Sequence, residues 1–310
     1  MEPGRKRLLE NKLAILYIGA GAIFWGIISI FVTYFYELGF TPTQVVAIRA
    51  LAASVFLVLY VIIKNRQLFR INISDSKYFI GTGIFSIVLF NWCLFSAIEE
   101  TSVSIASILL YTAPAFVTIF SRLIFKESLS SQKMIALVTT FIGCSFVIGI
   151  LPNNHETISL YGLILGLGSG LFYALYSIFG KVLVKKYHSL TITVYTFLLA
   201  AIAITPFSGI WNVIHLFSDI KVWFYVIGLG FLSTMLPFLL YTKGLNAIES
   251  STASIIATIE PVVASLVGFL IFQEKLNLWQ YMGIFLVIAA VIITSKKSTK
   301  KTLISNEMSL

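Results

Sequence analysis

The sequence predicts an all-α membrane protein: ten transmembrane helices forming two inverted five-helix repeats, with both termini in the cytoplasm. Three observations carry this reading. Hydrophobic residues make up 58% of the 310 residues and charged residues only 11%, too little charge to cover a water-soluble domain. Ten apolar runs follow one another, each near the length that spans ~30 Å of hydrocarbon as a helix. And a block of sequence occurs twice, at an offset of 147 residues.

The candidate spans are 13–36, 44–63, 79–97, 103–125, 132–151, 159–184, 191–213, 222–242, 252–272 and 279–295. In hydrocarbon each segment must satisfy its own backbone amides, so these runs are read as helices. The short alternating segments of a membrane barrel are absent. The first run follows Arg5, Lys6, Arg7 and Lys12. It is longer than the apolar core of a signal peptide and is read as helix 1. Cys93 and Cys144 both fall inside spans. They are too few for a disulfide framework and lack zinc-site spacing.

Lysine and arginine bias sets orientation. With the N-terminus inside, 19 of the 22 basic residues fall in cytoplasmic segments. Lys221 and Lys275 lie outside, and Arg49 sits just inside helix 2 from the outer face. The net charge of +9 is then a property of the cytoplasmic face and does not point to nucleic acid.

The repeated block begins Ser104, Ala106, Ser107, Ile108, passes Pro114, and ends Leu123, Ile124, Phe125, Glu127, Leu129. Its copy is Ser251, Ala253, Ser254, Ile255, Pro261, Leu270, Ile271, Phe272, Glu274, Leu276. This divides the chain into repeats 1–151 and 152–295 and a basic cytoplasmic tail, 296–310. Five spans per repeat is an odd number, so the second copy enters the membrane inverted. Inverted repeats place a binding site near the midplane between the halves and supply the geometry of alternating access.

The ten spans, the two halves and the paired Pro…LIFxExL blocks resemble the EamA-type branch of the drug/metabolite transporter superfamily. Phe24-Trp25-Gly26, Phe172-Tyr173-Ala174 and the stretch 41–50 containing Arg49 are similar to that family's first and second helices. The resemblance implies secondary transport of small organic solutes, often export of amino acids or related metabolites. It also implies that helices 1–4 and 6–9 surround a cavity while helices 5 and 10 lie outside it.

Glu260 is the sharpest candidate. It lies near the centre of helix 9, directly before Pro261, where a charge costs about 2.5–3.5 kcal/mol on insertion scales. A carboxyl held there suits proton coupling, or a counter-charge to an amine on the substrate. A neutral acid bonded to a neighbouring helix is the plainer alternative. Its position in the first repeat holds Ala113. Trp25, Asn91, Trp92, Tyr111, Tyr173 and Tyr176 also reach the midplane, where they either line the cavity or pack as core.

Ser251, Ser254, Thr258 and Ser265 form a polar stripe on helix 9, matched by Ser104, Ser107, Tyr111 and Thr118 on helix 4. At helical spacing Glu260 falls on the opposite face from its stripe. Either Pro261 shifts the register or the two faces meet different neighbours. Pro114 and Pro261 free the carbonyls of Leu110 and Ala257 and are candidate hinges; Pro206 and Pro237 have no repeat match. Gly162, Gly166 and Gly170 predict close helix approach. Glu127 and Glu274 are expected at the interface, bonded to freed backbone groups or to the adjacent Lys126 and Lys275. Arg49 either snorkels outward or pairs with Glu37 or Glu99.

An enzyme is disfavoured: His155, His188, His215, Asp75 and Asp219 fall in loops or at helix ends, and Glu260 has no carboxylate partner at its depth. No Walker A motif is present, and no cofactor or metal site is expected. The expected partners are a small-molecule substrate and the lipid bilayer; the oligomeric state stays open. Mid-helix prolines in inverted halves favour a carrier over a channel or scramblase-like protein.

Overall fold

The computed structural model describes residues 3–149 and 159–307, with side chains from 8 to 149 and from 159 to 295. The junction at 151/152, His155 and the basic side chains of the termini lie outside the described residues. All regular elements among these residues are helical. Ten helices are long and apolar enough to cross a membrane. They are α1 Leu8–Glu37, α2 Pro42–Lys64, α3 Ile73–Glu100, α4 Val103–Phe125, α5 Ser131–Ile148, α6 Leu160–Leu183, α7 Ser189–Phe207, α8 Ile220–Leu245, α9 Ser250–Leu270 and α10 Leu278–Ser295. The backbone of α10 stays helical to Glu307.

Local chemistry sets the ends. Thr41 and Gln44 form a reciprocal capping box at α2, with Pro42 in the first turn. Ser102, Ser130 and Ser159 each accept a backbone N–H in the first turn of α4, α5 and α6. Gly149, at φ 86°, terminates α5 in a conformation that suits glycine. α7 stops at Phe207, short of the expected 213. Pro206 enters a tight turn there and Gly209, at φ 64°, reverses the chain before a separate stretch, Ile210–Ser218.

Packing is reciprocal between the repeats. α1 packs on α8 and α9 as α6 packs on α3 and α4; α2 meets α7, α4 meets α9, and α5 meets α10. This internal symmetry is consistent with an inverted repeat, and it extends to irregularities. The α4 helix breaks after Leu110 and α9 after Ala257, the same repeat position. The ends of both helices carry a left-handed residue that is not glycine, Lys126 and Gln273, each at φ 56°. The next amide reaches back six residues in both: Glu127 N to Ser121 O at 3.2 Å and Glu274 N to Gly268 O at 3.0 Å.

Helices α3 and α8 each contain a π-helical stretch, Gly81–Leu89 and Gly228–Met235, again at one offset. The wider turn leaves extra carbonyls for side chains. Ser86 donates to Gly81 O at 2.7 Å, and Thr234 to Leu229 O at 2.8 Å. The glycines permit close crossings: a Cβ on Gly83 would lie 2.8 Å from Thr196 O in α7, and one on Gly230 2.5 Å from the Ala52 Cβ in α2. Gly166 and Gly170 likewise face Leu109 and Thr112 of α4, the close approach expected of that glycine series.

The outside of the bundle exposes Phe85, Leu123, Ile135, Phe224, Leu270 and Phe285, among other large apolar side chains. Such a surface is unsuited to water and suited to hydrocarbon.

Candidate functional site

A cavity lies between the repeats, lined by residues of both. Its lining comes from α1, α2, α3, α4, α6, α8 and α9. Among the described residues α5, α7 and α10 contribute nothing to it, so α7 departs from the arrangement implied by family resemblance.

All six sequence-predicted cavity residues meet here: Trp25, Asn91, Tyr111, Tyr173, Tyr176 and Glu260. Glu260 is half-buried, and its Oε2 accepts a long hydrogen bond, 3.4 Å, from Tyr173 Oη. Trp25 is buried edge-on against Phe238, with centroids 5.0 Å apart, and near Tyr241 and Tyr173 at 5.3 and 6.5 Å. Phe90 extends this wall, 5.2 Å from Tyr173. Asn91 Nδ2 donates to Ile87 O at 2.7 Å, one turn back in its own helix. The Tyr176 hydroxyl is engaged with Thr242 at 2.7 Å, and that of Tyr241 with Ser177 at 2.6 Å, which fixes both rings as wall.

Pro114 also lines the cavity, while Pro261 is buried beside it. The helix breaks three residues ahead of each proline, at Tyr111 and Thr258, explain how α9 presents two faces to one space. Ser254, Ala257 and Thr258 precede or form the break, Glu260 follows it, and all four line the cavity. The register shift, not a second neighbour, resolves the mismatch between Glu260 and its stripe. Ser251 is not part of the lining; it belongs to the cluster at Glu127.

Three expectations are corrected. Arg49 neither snorkels outward nor pairs with Glu37 or Glu99. It turns into the cavity, where its Nε donates to Thr234 Oγ1 at 3.3 Å. Trp92, at 55% exposure, points away from the core; it is turned about 100° from Asn91 around the helix. Glu127 is buried rather than interfacial, and its basic partner is Lys133, not Lys126.

Glu127 joins the repeats at one end of the bundle. Its Oε1 accepts Ser250 N at 2.7 Å, and its Oε2 accepts Ser251 N at 3.2 Å and Ser251 Oγ at 2.5 Å. Lys133 Nζ donates to Ser251 Oγ at 2.7 Å and pairs with Glu249 at 2.6 Å. The N-cap residue of α9, Glu249, makes no side-chain cap bond; the orphan amides of α9 are capped by Glu127 from the other repeat. The copy at the opposite end is not made. Glu274 is exposed, its carboxylate folded back over Gly268 of its own helix, and α4 is capped by its own Ser102.

The sequence reading missed Arg49, Phe90, Phe238 and Tyr241 as cavity residues, and it missed the π-helical stretches. Those stretches had a signal: Gly81, Gly83 and Ser86 recur as Gly228, Gly230 and Ser233 at the same 147-residue offset.

Known proteins agree with this architecture. The profile of the EamA-like transporter family matches residues 12–149 and again 160–296. An uncharacterised transporter of Archaeoglobus fulgidus is 34% identical over 64% of this chain and 69% of its own length. A second from the same organism is 28% identical over 88% and 95%. The uncharacterised inner membrane transporter YicL of Salmonella typhimurium is 24% identical over 94% and 98%. A crystal structure superposes with a TM-score of 0.76 at 13% identity, covering 93% of this chain and 98% of its own, a likeness of fold. The chain therefore belongs to the EamA-like transporter family of the drug/metabolite transporter superfamily, and its activity is secondary transport of small molecules across a membrane rather than catalysis.

Proposed function

We propose that this protein exports small organic metabolites, amino acids or related amines, by alternating access through the central cavity. The observation that carries the reading is the unequal pair of contacts at the two ends of α4 and α9. Both helices have the same break over the cavity and the same left-handed C-terminal turn, yet only Glu127 bridges to the facing helix. Matching elements held in different states are what alternating access requires. Positive-inside bias puts both termini in the cytoplasm. Glu127 then closes the cytoplasmic end, and the conformation faces outward. Pro114 and Pro261 act as hinges. Closure toward the outside brings Glu274 to the amino end of α4.

Glu260 is the proton-coupling group of this mechanism, and export from a bacterial plasma membrane is the direction that family resemblance favours. The test is counterflow in proteoliposomes preloaded with amino acids, amines and small carboxylates. Saturable counterflow of one class is expected. Glu260→Gln is expected to keep exchange, at weakened substrate affinity, and lose uptake driven by a pH gradient. Linear, non-saturable flux would overturn the carrier, and undiminished pH-driven uptake by the variant would remove the coupling role.

A further inference from the structure

The matched and unmatched residues of the two repeats divide by position. Breaks, left-handed turns, π-helical stretches, hinge prolines and the Glu127/Glu274 pair recur. Most of the cavity lining does not: Trp25, Asn91 and Tyr111 correspond to Phe172, Phe238 and Thr258, and Arg49 and Glu260 to Thr196 and Ala113. Glu127, which joins the repeats, has a counterpart in Glu274, whereas the scaffold charges Lys133, Asp75 and Lys181 correspond to Gln280, Val222 and Tyr34. Arg49 and Glu260 have none, carry opposite charge, and line the same space.

They do not neutralise one another directly. The ion pairs among the described residues belong to Lys133 and Lys186, and none involves Arg49 or Glu260. Arg49 is fixed by its near end, where Nε bonds Thr234 in the π-helical stretch of α8 and Thr234 bonds onward to Leu229 O. Its terminal nitrogens have no hydrogen-bond partner among the described residues, and they are not among the sealed buried atoms. The free fork of donors therefore opens on the cavity. Glu260 is equally underused, with one oxygen on the long bond to Tyr173 and the other unbonded. Two opposite charges that face one cavity without pairing directly can be spanned by a ligand that carries both signs.

Resting on the carrier reading, we propose that Arg49 and Glu260 are the two poles of a recognition site for a zwitterion, an α-amino acid with an uncharged apolar side chain. Arg49 takes the carboxylate through its planar fork, the geometry guanidinium suits best. Glu260, with Tyr173 beside it, takes the ammonium, which the Trp25 face also attracts. Phe90, Phe238 and Tyr241 enclose the side chain. The cavity brings one charge of each sign, so it favours a ligand with one of each.

The experiment is direct binding to the purified full chain in lipid nanodiscs, with three ligands sharing one side chain. L-Leucine carries both charges, L-leucinamide only the ammonium and N-acetyl-L-leucine only the carboxylate. Wild type is expected to bind leucine at least about tenfold tighter than either half-ligand, the scale of one charge-assisted hydrogen-bonded pair. Arg49→Gln is expected to reduce leucine to the level of leucinamide while leaving leucinamide unchanged. Arg49→Lys, keeping the charge without the fork, is expected to restore part of the preference. Glu260→Gln is expected to do the complement, equalising leucine with N-acetyl-leucine.

Equal wild-type binding of leucine and leucinamide overturns the proposal whatever the variants do. So does an unchanged preference in Arg49→Gln, or no binding of any of the three. Two-pole binding without counterflow would instead overturn the carrier and leave this site standing. Counterflow confined to solutes lacking a carboxylate would do the reverse.

Discussion

Glu127 caps a helix that is not its own: its carboxylate accepts the Ser250 amide at 2.7 Å and the Ser251 amide at 3.2 Å across the repeat boundary. The contact joins the end of α4 to the start of α9. It concentrates the capping of α9 in a few atoms, because α9 has no side-chain cap from its own N-cap residue.

Glu127→Ala is expected to leave those amides unpaired, at about 2 kcal/mol for buried donors bonded to a charged group. Amide hydrogen exchange over Ser250–Ala253 then rises by about one order of magnitude or more. Glu274→Ala, removing an exposed carboxylate, is expected to leave that exchange unchanged. Equal protection in wild type and Glu127→Ala would show that the cap does not hold the end closed.

Replacing Pro114 or Pro261 by alanine restores a backbone donor near the break and permits a continuous helix. Each variant is expected to be as stable as wild type or more so, and to turn over more slowly with ligand affinity retained. Faster transport, or an affinity change with unchanged turnover, would count against the hinge role.

Gly83→Ala and Gly230→Ala push a methyl into the facing helix, against Thr196 O and Leu199 in one case and Ala52 in the other. Overpacking of this kind costs about 1–3 kcal/mol. Both variants are expected to lower the thermal midpoint in detergent by similar amounts, since they disturb corresponding crossings. A neutral effect at both sites would mean that the crossings relax freely.

His188 precedes α7 and its Nδ1 accepts the Leu190 amide at 3.2 Å, which requires a neutral ring. Partial burial, then the nearby Lys64 and Lys243, hold its imidazole below the ordinary value. A base with a lowered folded value binds fewer protons folded than unfolded. Its contribution is therefore complete above about pH 6.5 and is lost as pH falls below that value. The side chain is exposed, so the expected effect is small, a few tenths of a kcal/mol. His188→Asn keeps a capping acceptor and should remove this part of the pH slope below about 6.5. An identical slope in the variant would assign it elsewhere.

The ten spans and the duplication were legible because hydropathy and repetition are properties of the chain itself. Glu260 and its aromatic neighbours were legible because a charge or a cluster of polar rings at mid-span has few uses. Arg49 was not. Its position near the start of α2 fits snorkelling as well as inward orientation, and only the packing of α2 on α8 decides. Phe238 and Tyr241 read as ordinary apolar span until α8 is placed against α1. The Glu127 contact was half legible: a repeated glutamate at a helix end suggested bonding to backbone. Which amides it meets depends on folding α9 against α4, and whether both copies meet them depends on the conformation.

The unmatched lining of the cavity has a consequence for net flow. Under the proposed alternating access, a solute in this space faces the same arginine, carboxyl and rings whichever end of the bundle is open. On that proposal both compartments meet one set of groups, and nothing in that set distinguishes origin from destination. The sign of transport is then written in the concentrations and potentials on either side, and a change in those alone would run the same protein backwards.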